Sequence, residues 1–259
     1  MQYLTGREAL RLAIQAGNRM ETEEGMIVYP DHYFRERCAS QEPAAHRLPE
    51  FVPASPQEAY LMGESARLYA ESYGTAILIR LVPEVAEGKM LLRPIRRRRI
   101  RRGYERNGRG KERCTGIPCR AFSDSGWNCV SGGGRKGILT YGPGFLRVRE
   151  ILNGSAEVRI LKLGTVWPFP EELICRFLQE TEEVLVLDET RRRILTEIYA
   201  IKGKYELRCR IHPFYGEEER ADDIAGAMTA LMGREAGKHF LPVVPPVERS
   251  MYGLPILPC

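Results

Sequence analysis

A chain of 259 residues with 43% hydrophobic and 28% charged residues has the composition of a globular protein of one or two domains. No stretch approaches the roughly 18 uninterrupted apolar residues of a membrane-spanning helix, since even AILIRLVPEVA is interrupted by Arg80, Pro83 and Glu84. The net charge of +5 is uneven, because ten arginines and one lysine against two glutamates give +9 between Arg93 and Arg113 and leave −4 for the rest.

The N-terminal region predicts a helix followed by a short strand. Apolar residues between Thr5 and Met20 fall near one helical face, and Thr5 stands three residues before Glu8, the spacing of a capping box. The same stretch has no apolar signal core, so we expect a cytoplasmic protein without membrane association. GMIVYPDH is predicted to be a buried strand that ends at Pro30.

A second helix is predicted to begin after Ser55 and to end near Gly74. Ser55 at the N-cap, Pro56 at the first helical position and Glu58 match both the capping box and the preference for proline at that position. The run TAILIRLV that follows Gly74 has the length and the β-branched content of a strand. Helix, glycine and strand together indicate an α/β unit in the first 92 residues.

The basic segment between Arg93 and Arg113 leads into a stretch of Arg, Gly, Ser and Cys for which no packed core is expected. Three interpretations stay open. The segment is a solvated linker, since charge blocks are usually exposed. Alternatively it binds nucleic acid, with arginines on phosphates and Tyr104 and Trp127 available to stack. As a third interpretation, the stretch through Ser131 is translated in a shifted reading frame.

From residue 136 the sequence predicts strands that alternate with helices. ILTY, AEVRILKLG and EEVLVLDE are strand-like, whereas FLRVREILNG and PEELICRFLQE have helical spacing. A further helix, ADDIAGAMTALMGRE, carries acidic residues in its first turn, where the helix dipole favours them. This alternation predicts an α/β fold with a parallel, doubly wound sheet, followed from residue 236 by a proline-rich tail.

The seven cysteines predict neither a disulfide framework nor a metal site. Four of them stand alone in the sequence, and Cys114, Cys119 and Cys129 have C-x4-C and C-x9-C spacings without a fourth ligand at a usual zinc interval. We therefore expect reduced thiols and assign no metal ligand.

The other candidate residues have structural explanations beside the functional ones. GGGRKG, residues 132–137, lacks the spacing of a phosphate-binding loop and precedes its strand, so we expect a flexible joint. Asp188 and Glu189 end a predicted central strand, where ligand crevices of open sheets form, yet acidic residues there are also common helix caps. His32 and His212 have no nearby partner that would make a nucleophile or metal pair, so we expect both to be ordinary surface residues. No catalytic residue is assigned, and cofactor-binding residues are left unknown.

A series of motifs in the first half resembles a known family. SPQEAY is followed by a Tyr-Gly-Thr-x-x-x-x-Arg-Leu pattern that has Ala76 where the related pattern has proline. Upstream, Ser40, Gln41 and Glu42 fit a Ser-Ser-Gln-x-Glu-Gln-Asp loop. These residues resemble the end of the pyrimidine-type domain in the alpha subunit of indolepyruvate ferredoxin oxidoreductase, a 2-oxoacid ferredoxin oxidoreductase.

A second series of motifs is similar to the transketolase C-terminal-type domain of the same subunit. VRILKLGTVWPFPEELICRFLQETEEVLVLDE follows the family's strand, Lys-Leu-Gly-Thr-x-x-Pro-Leu-Pro turn, helix and strand, and LPVVPPV resembles its connector to the diphosphate-binding domain. The motifs keep their order over most of residues 37–92 and 136–247. The second match is carried by Leu161, Lys162, Leu163, Gly164, Thr165, Pro168 and Pro170.

The resemblance implies an enzyme that oxidatively decarboxylates aryl pyruvates to acyl-coenzyme A, with thiamine diphosphate for the carbanion chemistry and [4Fe–4S] clusters that pass electrons to ferredoxin. The cofactor-binding motifs have no counterpart in these 259 residues. The family's Cys-Pro-Gly-Cys segment is replaced by ERSMYGLPILPC, and no C-x2-C-x2-C-x3-C-P run occurs. No thiamine-activating glutamate can be placed between Gly17 and Tyr29.

We therefore expect a partial or split subunit that is not active alone and binds no cofactor alone. A further chain with the diphosphate-binding and ferredoxin-like domains, and a beta subunit, are the expected partners, with ferredoxin and coenzyme A for the complete enzyme. The expected organisation is a partial pyrimidine-type α/β domain at residues 1–92, a basic linker at 93–135, a transketolase C-terminal-like α/β domain at 136–235 and a proline-rich tail at 236–259.

The alternative function is that of a non-catalytic α/β protein that binds nucleic acid through its arginine-rich segment. The sequence does not fix the substrate among 2-oxoacids or the oligomeric state. It also does not distinguish a split gene product from a degenerate copy or a frameshifted translation.

Overall fold

The computed structural model describes residues 2–9, 27–30, 49–73, 77–92, 123, 125–188, 193–214 and 221–233. The chain divides into two compact units, of which the first comprises Met1–Cys119 and Thr165–Pro168, and the second Arg120–Gly164 and Phe169–Cys259. The described elements are, in chain order, β1 (Gln2–Thr5), β2 (Ile27–Pro30), β3 (Glu50–Phe51), α1 (Pro56–Tyr73), β4 (Leu78–Leu81), α2 (Pro83–Glu87), β5 (Lys89–Leu92), β6 (Cys129–Ser131), β7 (Lys136–Tyr141), α3 (Gly144–Leu152), β8 (Arg159–Leu163), β9 (Thr165–Trp167), α4 (Glu171–Gln179), β10 (Glu183–Val186), α5 (Arg193–Lys204), β11 (Arg210–Pro213) and α6 (Ala221–Met232).

The described part of the first unit contains a four-stranded and a two-stranded sheet. In the four-stranded sheet, with the order β2-β4-β3-β9, strands β2 and β3 run parallel to β4, whereas β9 runs antiparallel to β3. Strands β1 and β5 form an antiparallel pair. The strands predicted from IVYP and from TAILIRLV are thus confirmed as β2 and β4, while β1, β3 and β5 were not predicted.

Both predicted helix starts of the first unit carry a capping box. The Glu8 carboxylate accepts from the Thr5 amide at 2.8 Å, and the Thr5 hydroxyl accepts from the Glu8 amide at 3.2 Å. At α1 the Ser55 hydroxyl accepts from the Glu58 amide at 3.2 Å, and the Glu58 carboxylate reaches back to the amide of Ala54 at 2.7 Å. The end of α1 at Tyr73 agrees with the predicted glycine stop, whereas residues 10–20 of the first predicted helix lie outside the described residues.

The second unit contains a five-stranded sheet with the order β11-β10-β7-β8-β6. Strands β11, β10, β7 and β8 are parallel, and only the edge strand β6 is antiparallel to its neighbour β8. From β7 the chain proceeds to β8 on one side and then to β10 and β11 on the other, which is the winding of a doubly wound sheet. The predicted fold class is confirmed.

Helices lie on both faces of this sheet. On one face, the Lys136 ammonium donates to the carbonyl of Leu231 in α6, and Lys162 lies over the Phe145 ring of α3. On the other face, a Cβ added to Gly137 would meet the ring of Phe177 in α4, and α4 contacts α5. The core between these layers contains fully buried aliphatic residues, among them Ile138, Val148, Leu161, Ile174, Val184, Leu187, Ile198 and Ile224.

Local sequence patterns predict most but not all of these elements. The predicted strands and helices correspond to β7, α3, β8, α4, β10 and α6, whereas α5 and β11 were not predicted. Strand β6 lies within the stretch expected to be a linker, and it pairs with β8 from Cys129 opposite Lys162 to Ser131 opposite Ile160. The end of that stretch is therefore part of the sheet.

Candidate functional site

The best-placed polar residues of the second unit lie at the carboxyl ends of β7 and β10. The winding of the sheet reverses between these two strands, and ligands of open α/β sheets bind at such a switch point. The Tyr141 hydroxyl donates to Asp188 Oδ1 at 3.1 Å, and Asp188 Oδ2 accepts from the backbone amide of Leu195 at 2.9 Å. Since Leu195 is in the first turn of α5, Asp188 caps that helix. The arrangement agrees with the helix-cap interpretation of Asp188, and Glu189 lies outside the described residues.

The turn from β7 into α3 does not form an anion cradle. The amide of Phe145 donates to the carbonyl of Gly142 at 3.3 Å, and the amides of Leu146 and Arg147 donate to that of Pro143 at 2.9 and 3.2 Å. The first-turn amides that an anion would need are therefore already engaged within the turn. Gly142 permits this geometry because its φ is +55°.

Lys162 is the least expected charged residue of the sheet. It lies in β8 with 1% of its surface exposed, and its ammonium is 5.0 Å from the centre of the Phe145 ring. Its register partner on β7 is Thr140, which is 0% exposed and whose hydroxyl has no hydrogen-bond partner among the described residues. The sequence signal was present, because a lysine interrupts the otherwise apolar run ILKL, but it was interpreted only as part of a family motif.

The first unit has its own buried charges. Arg80 of β4 and Glu50 of β3 form an ion pair at 2.6 Å, and their side chains are 4% and 2% exposed. Because the two residues are 30 positions apart and strand β3 was not predicted, the sequence did not indicate their proximity. Buried partners of this kind offset each other's loss of hydration. A structural role between β3 and β4 therefore explains why both charges are buried.

The glycine-rich segment 132–137 connects β6 to β7 and lies close to the backbone that precedes β8. Gly132 and Gly134 have φ values of +75° and +79°, and added Cβ atoms would meet the carbonyl oxygens of Val158 and Glu157. The amide of Gly133 donates to the carbonyl of Ala156 at 2.9 Å. The glycines allow the β6–β7 connection to approach the backbone that enters β8, and they form no phosphate site.

His212 has a partner that the sequence did not reveal. Its Nε2 is 3.2 Å from Glu183 Oε2, and an Arg210 guanidinium nitrogen is 3.2 Å from Glu183 Oε1. The pairing of β10 with β11 brings these residues together, and β11 was not predicted. Glu183 forms neither a nucleophile pair nor a metal pair with His212, and the histidine is partly exposed as expected. His32 lies outside the described residues.

A surface cluster joins α4 to the end of α5. The Lys204 ammonium and the Tyr205 hydroxyl donate to Glu171 Oε1 at 2.6 and 2.7 Å. The hydrogen bond from Lys204, and then that from Tyr205, lowers the pKa of Glu171 below its ordinary value of 4.5. The bond to Glu171 raises the pKa of both Lys204 and Tyr205. The cluster acts as a clamp between two helices.

The described residues do not fit the cofactors that the resemblance implies. Cys129 of β6, Cys175 of α4 and Cys209 of the connection before β11 are free thiols, and no three metal-ligating side chains come together in the described ranges. A [4Fe–4S] cluster requires four thiolates around one site. The pKa of the buried Cys209 thiol is raised, chiefly by desolvation, which disfavours the thiolate form that ligates metals. Glu58 and Asp188, which lie near the starts of α1 and α5, accept backbone hydrogen bonds as caps.

The last two expectations concern membrane association and nucleic-acid binding. Within them, no helix is long and apolar enough to cross a membrane. The segment between Arg93 and Arg113 lies outside them, so nucleic-acid binding stays a prediction from charge.

Comparison with known proteins identifies relatives of one kind. No protein-family model matches the chain. The indolepyruvate oxidoreductase subunit IorA of Methanothermobacter thermautotrophicus is 27% identical over 203 residues, covering 70% of this chain and 31% of the relative. The subunit of the same name from Pyrococcus abyssi is 28% identical over 168 residues, covering 55% of this chain and 26% of the relative. The chain thus spans about a third or less of the relatives it matches, and the resemblance stated from the sequence motifs is confirmed.

A solved structure shares the fold. The 2-oxoglutarate:ferredoxin oxidoreductase from Magnetococcus marinus matches 71% of this chain and 42% of its own chain with a TM-score of 0.52 and 14% sequence identity. At that identity the likeness concerns the fold, and it agrees with the mixed α/β architecture described above.

Proposed function

We propose that this chain is part of the alpha subunit of a thiamine-diphosphate-dependent 2-oxoacid ferredoxin oxidoreductase that acts on aryl pyruvates. The observation that carries the proposal is the extent of the match to the Methanothermobacter subunit. Each of the two units holds about half of the chain, so a match over 70% of it includes residues of both. A likeness confined to one widespread α/β unit would support only the fold.

The role we propose for the chain is scaffold rather than chemistry. The polar groups in the best positions are committed to the fold, since Asp188 caps α5, Glu58 caps α1, and Arg80 and Glu50 pair with each other. Thiamine diphosphate and the iron–sulfur clusters would supply the carbanion and electron-transfer chemistry of the complete enzyme. Separate chains or segments would hold them.

The proposed function implies partner polypeptides and a cellular location. A polypeptide with the diphosphate-binding and ferredoxin-like domains, and a beta subunit, would complete the enzyme, with coenzyme A as acyl acceptor and ferredoxin as electron acceptor. The proposed location is the cytoplasm. The division into a partial pyrimidine-type domain and a transketolase C-terminal-like domain is part of the same proposal.

The test is purification of the tagged chain from its own host under anaerobic conditions. We expect it to co-purify with further polypeptides, and the complex to reduce methyl viologen with indolepyruvate only when coenzyme A and thiamine diphosphate are present. The recombinant chain alone should show no such activity. A matched control is Gly137→Val, which should displace α4 because a Cβ at Gly137 already meets Phe177, Thr181 and Val184, and which should therefore abolish co-purification. Activity of the isolated chain, or no 2-oxoacid-dependent reduction by the complex, would contradict the proposal.

A further inference from the structure

Asn128 is a buried polar residue in the stretch that the sequence marks as a linker. It is 8% exposed, and its side-chain Oδ1 accepts from the backbone amide of Gly164 at 2.8 Å. Gly164 is itself buried. A buried backbone N–H must have an acceptor, because leaving it without one forfeits the hydrogen bonds it made with water.

The hydrogen bond between Asn128 and Gly164 lies at one end of the paired region of β6 and β8. Strand β6 begins at Cys129, opposite Lys162, and runs antiparallel to β8, whose last residue is Leu163. Asn128 and Gly164 therefore lie just beyond the paired residues of the two strands. The Asn128 amide oxygen takes the place of the main-chain carbonyl that a longer β6 would offer, so it continues the ladder by one bond.

Gly164 is also a junction in the chain. Thr165 starts β9, which pairs with β3 and belongs to the first unit, whereas Gly164 is the last residue of the second unit before this departure. A backbone that leaves a sheet at a buried residue must change direction without losing its hydrogen bonds. The residues Leu163, Gly164 and Thr165 that carry the family resemblance are those at this exit.

We propose that Asn128 is a positioning residue that fixes the backbone at the exit from β8 through its bond to the Gly164 amide. The inference is independent of the proposed enzyme function, because it rests on the geometry of one sheet. It assigns a role to a residue of the supposed linker that neither the motifs nor the relatives indicate.

The test separates the hydrogen bond from the volume of the side chain. Asn128→Asp keeps an acceptor of the same shape, whereas Asn128→Leu keeps the volume and removes the acceptor. Amide hydrogen exchange of the complete chain, measured by NMR, reports on Gly164. The amide of Leu187, which donates to the carbonyl of Leu139 at 2.9 Å inside the sheet, is the internal reference for global opening.

In the Asn128→Leu variant, the hydrogen-exchange rate of the Gly164 amide should be about tenfold higher than in the parent protein. This is the factor expected for the loss of one buried hydrogen bond. Leu187 should exchange at the parental rate, and the aspartate variant should stay near the parent at both amides. Should the leucine variant fail to fold, Asn128→Ser is used, since its side chain is too short to reach. An aspartate variant as fast as the leucine or serine variant, or equal acceleration of Gly164 and Leu187, would overturn the assignment.

Discussion

Lys162 shows how one charged residue is accommodated inside a sheet. Its four-carbon stem is enclosed with the rest of the side chain, 1% of which is exposed, and its ammonium faces the Phe145 ring at 5.0 Å. Thr140, beside it on β7, adds a polar hydroxyl to the same buried region. The stem and the ammonium contribute separately to the stability of the fold, and substitutions of Lys162 can distinguish the two contributions.

We expect Lys162→Ala to lower the free energy of unfolding by about 2–4 kcal/mol, because it removes a buried stem of the length of methionine and leaves a cavity. Lys162→Met keeps the stem and should lower the free energy of unfolding by less than half as much as Lys162→Ala. Equilibrium urea denaturation followed by circular dichroism measures both. Equal losses in the two variants would mean that the ammonium, rather than the stem, stabilises the sheet.

The Glu171 clamp predicts a pH dependence. Its hydrogen bonds to Lys204 and Tyr205 lower the pKa of Glu171 in the folded state, so they stabilise the fold above the unfolded value near 4.5. This contribution is lost as the pH falls from 4.5 through the lower folded pKa. Glu171→Gln should therefore lower the melting temperature at pH 7 by about 2 °C or less, since the cluster is largely exposed.

The difference between the parent and Glu171→Gln should shrink as the pH falls below 4.5. Glu172→Gln is the matched control, because Glu172 lies in the same first turn of α4 and is exposed. Calorimetric melting curves between pH 3 and pH 7 measure the effect. A difference that persists unchanged at pH 3, or one of equal size for Glu172→Gln, would refute the clamp.

At the scale of elements, α5 depends on a cap that lies outside the helix. Asp188→Ala frees the amide of Leu195 and should destabilise the protein by about 1 kcal/mol, with faster amide exchange in the first turn of α5. Asp188→Asn retains an acceptor and should lose less. Tyr141→Phe removes the bond to Oδ1 and keeps the Asp188 acceptor of the Leu195 amide, so it should leave exchange at Leu195 unchanged. If Tyr141→Phe speeds exchange as much as Asp188→Ala, the cap is not what holds α5.

The glycine-rich connection permits a comparison of two glycines with similar backbones. Gly134 has φ +79° and approaches the carbonyl of Glu157, whereas Gly154 has φ +83° and open space around it. Gly154→Ala should lower the free energy of unfolding by about 1 kcal/mol, because alanine is strained in the left-handed backbone. Gly134→Ala should cost distinctly more, since the added methyl also displaces the Glu157 carbonyl. Equal urea midpoints for the two variants would favour the predicted flexible joint.

The elements that the sequence predicted share strong local signals. The capping boxes at Thr5 and Ser55, and the apolar runs of β7, β8 and β10, depend on residues within one turn or one strand. Strand β6 escaped prediction because three residues, one of them the exposed Val130, hold their place only by pairing with β8. Residues 129–131 therefore belong to the sheet of the second unit, while the linker and reading-frame interpretations stay predictions.

The polar contacts of the candidate site were the least predictable feature, for a related reason. Asp188 could be placed at a strand end from the sequence, but its partners Tyr141 and Leu195 depend on the register of β7 with β10 and on the start of α5. The His212–Glu183 and Arg80–Glu50 pairs likewise require strands that carry no local signal. Contacts across a sheet are set by pairing, which single-sequence patterns do not encode.

At the scale of the whole molecule, three observations bear on the proposed function. The winding of the five-stranded sheet matches the predicted fold, the relatives are indolepyruvate oxidoreductase subunits, and the chain spans about a third or less of the Methanothermobacter and Pyrococcus abyssi subunits. Among the described residues, the polar side chains best placed for a ligand cap helices or pair within sheets. These observations support the proposal that the chain is a scaffold part of a larger enzyme.

The most direct test of this account is a calorimetric titration of thiamine diphosphate and Mg²⁺, first into the isolated chain and then into the anaerobically purified complex that contains it. The account predicts no heat of binding for the isolated chain and saturable binding by the complex. Saturable binding by the isolated chain at the same concentrations would contradict it, and so would a complex that contains this chain and binds no thiamine diphosphate.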